Sequence, residues 1–336
     1  MKKILYIGNK LSSHGNTQTS IETLGSFLES EGYKVFYASS KNNIFMRMLH
    51  MIFKTIKHSK EIDYVLIDTY STLNFWYAVI ISQLCRLFSM KYIAKLHGGD
   101  LPKRLENSKF LCNLVFKNAF VNIAPSDYLY KAFYDKGFTN IKYIPNTIEI
   151  EKYSFSNKEF DFPRLLWVRS FAKIYNPILA VKVLIKVKEK YPTATLCMIG
   201  PKKDDSYDEA IQFAKDNNVK VLITGKLSKE EWVDLSVNYN VFINTTHYDN
   251  TPVSVIEAMA LGFPVVSTNV GGIPYLIENN KTGFLVNDND LDGMVNSVEN
   301  IFVEIDSTNL VISNALDAVK KFDWEIIKKE WIQLLK

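Results

Sequence analysis

The sequence predicts an α/β protein of two doubly wound parallel-sheet domains, and three observations predict it. Its 336 residues exceed what one hydrophobic core usually supports. Short apolar, β-branched runs alternate with segments of helical periodicity along the chain, the pattern of parallel strands joined by helical crossovers. The alternation lapses over residues 146–163 (NTIEIEKYSFSNKEFDFP), where polar residues gather and a proline closes the stretch, as at a domain boundary.

Taken in order, KKILYIG reads as a strand, 17–31 as a helix, KVFYAS as a strand, 44–57 as a helix, YVLIDT as a strand and 73–88 as a helix. KYIAKLH, helix 105–117, FVNIAPS, helix 128–136 and IKYIP complete a first domain over 1–150. The pattern restarts with RLLWVRS, helix 178–190, TLCMIG, helix 207–217, KVLITG, helix 229–237, VFINTT, helix 251–261 and PVVST. This second domain runs over 151–320, and a last helix over 321–336 contains FDWEIIKKEWIQLL. In such domains ligand crevices open at the carboxyl ends of strands, so functional residues are expected in the loops that follow them.

The helix at 44–57 has apolar residues at 44, 45, 48, 49, 52, 53 and 56, one stripe expected to pack on the sheet. Met46 and Met51, beside basic residues at 47, 54 and 57 and His50, carry the alternative of an interfacial helix touching anionic lipid.

Composition narrows the class. Apolar residues make up 47% of the chain, a globular fraction. Cys85, Cys112 and Cys197 are far apart and odd in number, which fits neither a disulfide framework nor a zinc site and favours a reducing, cytoplasmic compartment. The apolar run after Lys2-Lys3 is too brief for a secretory signal. The longest apolar stretch, FWYAVIIS, is far below the ~20 residues of a membrane span. Net charge is +4, but residues 1–150 hold 19 Lys/Arg against 11 Asp/Glu, while the remainder is acidic. The N-terminal half therefore suits an anionic partner. Without a nucleic-acid recognition motif, an anionic membrane surface fits this charge better than nucleic acid, placing the protein at the inner face of the cell membrane.

The most informative stretch is 249–286, DNTPVSVIEAMALGFPVVSTNVGGIPYLIENNKTGFLV. Thr251 is suited to cap a helix and Pro252 to open it. Free N–H groups in that first turn, near Val253 and Ser254, would face an anion. Glu257 lies about 12 Å from Asp249 along a helical path, so the two acids can touch opposite ends of one elongated polar ligand. A nucleotide-sugar has that length.

This segment resembles the E-x7-E region of glycosyltransferase family 4, retaining enzymes of the GT-B fold, with Asp249 in place of the first acid. The resemblance implies two Rossmann-like domains facing across a cleft, with a final helix returning to the first domain. It also implies residue roles. Glu257 would accept hydrogen bonds from the ribose, and Asp249 would meet the donor sugar. Arg169, after LLWV, would hold the donor diphosphate, assisted by Lys173. Thr251, Pro252, Val253 and Ser254 line the donor. His97, followed by Gly98 and Gly99, would stand near the transferred sugar; Asp100 would orient that histidine or meet the acceptor. Gly15, in the loop after the first strand, would lie beside the donor phosphates, and the backbone of Gly271 and Gly272 would line the same site.

The implied activity is retaining transfer of a hexose from a nucleotide-diphosphate sugar to a hydroxyl of a glycan or lipid-linked acceptor, in cell-surface polysaccharide or glycolipid biosynthesis. No cofactor or metal is expected, because Arg169 and the helix N-terminus can neutralise the departing diphosphate. A GT-B sugar-nucleotide epimerase or hydrolase, and a non-catalytic nucleotide-sugar-binding protein, are the competing readings.

Overall fold

A computed structural model describes residues 1–12 and 19–336. Gly15 lies outside the described residues. The chain divides into one unit made of 1–147 and 324–336, and a second made of 148–323.

The first unit contains β1 (Lys3–Ile7), α1 (Ser20–Ser30), β2 (Lys34–Ala38), α2 (Ile44–Lys57), β3 (Tyr64–Thr69), α3 (Phe75–Leu87), β4 (Tyr92–Leu96), α4 (Leu101–Asn107), α5 (Lys109–Phe116), β5 (Val121–Ala124), α6 (Asp127–Asp135) and β6 (Ile141–Tyr143). Its strands form a parallel sheet in the order β2-β1-β3-β4-β5-β6. The order reverses between β1 and β3, where a doubly wound sheet opens a ligand crevice at its carboxyl edge. Both faces are covered, so β3 and β4 are buried at every position.

The second unit contains β7 (Arg164–Val168), α7 (Pro177–Lys190), β8 (Thr195–Ile199), α8 (Ser206–Asp216), β9 (Leu222–Gly225), α9 (Lys229–Ser236), β10 (Val241–Asn244), α10 (Val253–Ala260), β11 (Val265–Thr268), β12 (Phe284–Val286), α11 (Leu291–Val303) and α12 (Ile305–Val319). Its parallel sheet runs β12-β11-β10-β7-β8-β9, with the reversal between β7 and β10.

The last helix, α13 (Trp324–Leu334), belongs to the first unit. Trp324 stacks on Phe27 with ring centroids 4.8 Å apart and donates to Glu31 at 3.3 Å. Trp331, Ile327 and Leu335 join Ile4, Tyr6 and Leu66 in one buried cluster. Each fully buried apolar side chain contributes about 1.5–3 kcal/mol, so this helix is part of the first unit's core.

Three local expectations are corrected. The helix expected over 105–117 is two helices, because Ser108 takes φ −133 and ψ 43 and breaks the run. Thr251 does not cap α10: Pro252 occupies the N-cap position with extended backbone, and the helix starts at Val253. A proline side chain cannot accept a hydrogen bond there, so the first turn keeps N–H groups without intrahelical acceptors.

The third correction concerns α2. Its apolar stripe does not pack on the sheet as a whole. The helix is turned so that Met51, with Met48 and Ile52 at the edge, reaches the core. Arg47 and Thr55 fill the remaining buried positions, and Phe45, Leu49, Phe53 and Ile56 are exposed.

Candidate active site

In the second unit the candidate residues gather where the sheet order reverses. Arg169 directly follows β7, and its backbone N–H donates to the Ile199 carbonyl at 3.0 Å. Its guanidinium lies 4.6 Å from the Tyr175 ring centroid, donates from Nε to Asn244 Oδ1 at 3.3 Å, and forms an ion pair with Asp249. Burial draws the Arg169 guanidinium below its ordinary pKa. The charge is held by a carboxylate, an amide and an aromatic face together.

Asp249 is placed by a close approach of two backbone segments. The N–H of Gly272 donates to the Asp249 carbonyl at 2.9 Å, and a Cβ on Gly271 or Gly272 would run into the Asp249 or Asn250 carbonyl. The Gly-Gly pair thus supports the acid-bearing loop, a role beyond the donor-lining one expected of it.

Glu257 is 4% exposed, which rules out a surface position on the polar stripe of α10. Its Oε1 accepts from Tyr153 at 2.6 Å and from Lys229 Nζ at 2.6 Å. Burial and the Glu257 carboxylate hold the Tyr153 hydroxyl far above its ordinary pKa, so it acts as a donor. Both donors converge on one oxygen; among the described residues Oε2 has no donor. One turn earlier, Ser254 Oγ is buried without a hydrogen-bond partner, a costly arrangement for a hydroxyl unless a ligand completes it. Thr251 and Pro252 are buried beside it.

Lys173 stands apart. Its side chain is exposed and pairs with Glu209 at 3.4 Å, while its backbone N–H is held by Asp204 at 2.9 Å. Its partner is an acid of α8, not the Arg169–Asp249 group.

In the first unit a second polar group sits at the other reversal, between β1 and β3. Strand register pairs Asp68 with Lys95, so both point to one face of the sheet, which Tyr6 shares. Asp68, 1% exposed, accepts from Tyr6 at 3.0 Å, from Tyr70 at 3.4 Å and from His97 Nε2 at 2.8 Å. The residue orienting His97 is therefore Asp68. Asp100, expected in that role, is exposed at the N-cap of α4.

Burial and the Lys95 charge lower the His97 pKa, against the opposing effect of Asp68. Because a carboxylate can only accept, the neutral ring carries its hydrogen on Nε2 and its lone pair on Nδ1. Lys95 donates to Ser20 at 2.6 Å and to Asn146 at 3.3 Å, and burial pushes its amine down to about 8.

A family model for glycosyl transferases group 1 matches residues 149–315. Residues 149–315 are thus a domain of the glycosyl transferases group 1. The glycosyltransferase domain holds Arg169, Asp249, Ser254 and Glu257 together. Sulfoquinovosyl transferase SQD2 of Arabidopsis thaliana is 28% identical over 148 residues, 43% of this chain and 28% of that protein. The putative colanic acid biosynthesis glycosyltransferase WcaL of Escherichia coli is 38% identical over 90 residues, 26% of this chain and 22% of that protein. The chain thus spans less than a third of the length of these relatives. HepE of Anabaena, solved in complex with UDP-glucose, is similar over 100% of this chain and 99% of its own, at TM-score 0.80 and 18% identity. The fold of this glycosyltransferase-family chain is GT-B.

Several residues of these clusters escaped sequence reasoning. Tyr153 lies in the stretch taken as linker, and Lys229 reads as the first residue of a helix opened by the Ser228–Glu231 capping box. Asp68 and Lys95 carried a legible signal: each is a charge inside an otherwise apolar strand (YVLIDT, KYIAKLH), costly to bury without partners.

Proposed function

We propose that the protein is a retaining glycosyltransferase of family 4 that moves a hexose from a nucleotide-diphosphate sugar to a hydroxyl of a glycan or lipid-linked acceptor. The product belongs to cell-surface polysaccharide or glycolipid synthesis. The observation that carries the reading is the second unit's cluster: a mostly buried arginine at the strand-order reversal, an acid beside it, and a second, buried acid on the next helix with both of its donors on one oxygen. Arg169 supplies its remaining N–H donors to the diphosphate, and the first turn of α10, with Ser254 Oγ, binds the same anion. Glu257 Oε2 accepts from the ribose, while Asp249 accepts from the sugar hydroxyls.

Transfer breaks the bond between the anomeric carbon and the diphosphate oxygen, which departs with the electron pair. The acceptor oxygen bonds to that carbon on the same face and its proton passes to the leaving phosphate. Arg169 and the helix N-terminus stabilise the departing charge, so these residues meet the electrostatic need without a metal. Acceptor binding is assigned to the first unit, with His97 and Asp100 as its candidate residues. The buried, free cysteines favour a cytoplasmic site of action.

Incubating the purified protein with UDP-, GDP- and ADP-sugars tests this reading. Nucleoside diphosphate released only when a glycan or lipid acceptor is present is the expected result. An isomerised sugar would replace it with an epimerase, and nucleotide binding without turnover would replace it with a binding protein. A matching nucleotide at about a hundred times its dissociation constant should add ~2.7 kcal/mol of stability, so a thermal-shift screen identifies the base.

A further inference from the structure

We infer that α2 is a docking helix for an anionic lipid bilayer. The inference stands independently of the donor-site reading, because it rests on a face of the first unit that the proposed chemistry does not use. The face is inverted relative to an ordinary surface helix. Arg47 points inward, where Nε donates to the Lys41 carbonyl at 2.7 Å, Nη1 to Asn9 Oδ1 at 2.8 Å and Nη2 to the Asn42 carbonyl at 2.7 Å. Thr55 is also buried and donates to the Met51 carbonyl at 2.8 Å. Phe45 is 77% exposed, Leu49 59% and Phe53 58%, with Ile56 and Met46 beside them. These side chains recur at helical spacing on one side, so they form a contiguous apolar ridge.

The charge around the ridge selects its occupant. From Gly32 to Lys60 the sequence has no Asp or Glu and six Lys/Arg. Arg47 is used internally; Lys57 and Lys60 are exposed and Lys54 is partly so. The next acid, Glu61, is engaged by His58 and by Lys3 at 3.1 Å, so the apolar side chains are flanked by lysines, as suits a surface where acyl chains lie beneath phosphate headgroups. A second copy of the chain is the poorer match, because it would bring two lysine-rich faces together.

Co-sedimentation of the full chain with vesicles tests the assignment. Vesicles of phosphatidylcholine and phosphatidylglycerol should bind the protein, pure phosphatidylcholine should bind it weakly, and raising salt to about 0.5 M should release part of the bound fraction by screening. The L49S/F53S variant should lose at least about tenfold in partitioning, and K54E/K57E should lose the preference for anionic vesicles. Because these side chains are exposed, both variants should keep the wild-type circular dichroism spectrum and melting temperature. Wild-type-like binding by both folded variants overturns the proposal. So does failure of the wild type to bind anionic vesicles, or concentration-dependent dimerisation that L49S/F53S abolishes, the last assigning the ridge to a second copy.

Discussion

Glu257 and Arg169 are charged groups that the fold withdraws from water and must therefore supply with partners. An acid that is 4% exposed persists only with donors, and Tyr153 and Lys229 supply them, both to one oxygen. Glu257→Ala should weaken nucleoside diphosphate binding by about 1.5–3 kcal/mol, the range for a lost charge-assisted hydrogen bond; calorimetry showing unchanged affinity would remove the ribose role. Arg169→Ala should lower turnover by about 10²–10³ with the nucleotide still bound, and steady-state kinetics near wild type would take it out of the site. Asp68 is a positioning residue acting through His97. Its charge opposes the fall in the His97 pKa, so Asp68→Asn should move the imidazole titration, followed by NMR, to lower pH. A shift to higher pH contradicts the pairing.

At the scale of elements, the Gly271–Gly272 turn and α13 each do something that their own sequence does not state. The turn is legible as a turn, yet its need for glycine comes from the Asp249–Asn250 backbone packed against it. Gly272→Ala should displace that loop and weaken nucleotide binding by at least about tenfold, ~1.4 kcal/mol; calorimetry giving wild-type affinity would show that the loop tolerates the side chain. Helix α13 reads from sequence as an amphipathic helix, but its partners include the chain's first strand and first helix, with Trp324 bonded to Glu31, 293 residues earlier. Trp331→Ala should cost about 3–5 kcal/mol, as for other large buried aromatics, measured as a lowered denaturant midpoint. The split of 105–117 into two helices was not legible, since the periodic apolar pattern continues across Ser108 while the backbone does not.

Across the whole molecule, buried ionisable groups give stability a pH dependence that surface charge does not. Burial pushes Lys158 in the second unit and Lys95 in the first down to about 8. In the unfolded chain a lysine keeps its proton to a pH of about 10.4. Between those two values the unfolded chain binds more protons, so raising pH favours the folded state, by up to about 1.4 kcal/mol per pH unit for each group. The buried thiols run the other way, since burial raises their pKa values. The comparison to make is therefore wild type against Lys158→Met, whose urea midpoint should rise less, or fall more, between pH 8 and about 9.5. Equal slopes would mean that Lys158 does not titrate there.

The sequence by itself determined the α/β class and the two sheets, and it singled out Arg169, Asp249, Glu257 and His97 as candidates for the chemistry. Strand and helix periods, and the placing of ligand residues after strands, are local and repeat along the chain. Only the tertiary structure decided which groups meet. It paired Asp68 with His97 in place of Asp100, gave Glu257 its donors from a presumed linker and a helix start, left Lys173 with Glu209, and turned the apolar ridge of α2 outward. Those outcomes depend on strand register and on contacts between segments far apart in sequence, and a helix's pattern states that it has an apolar side without stating which side the rest of the fold will cover.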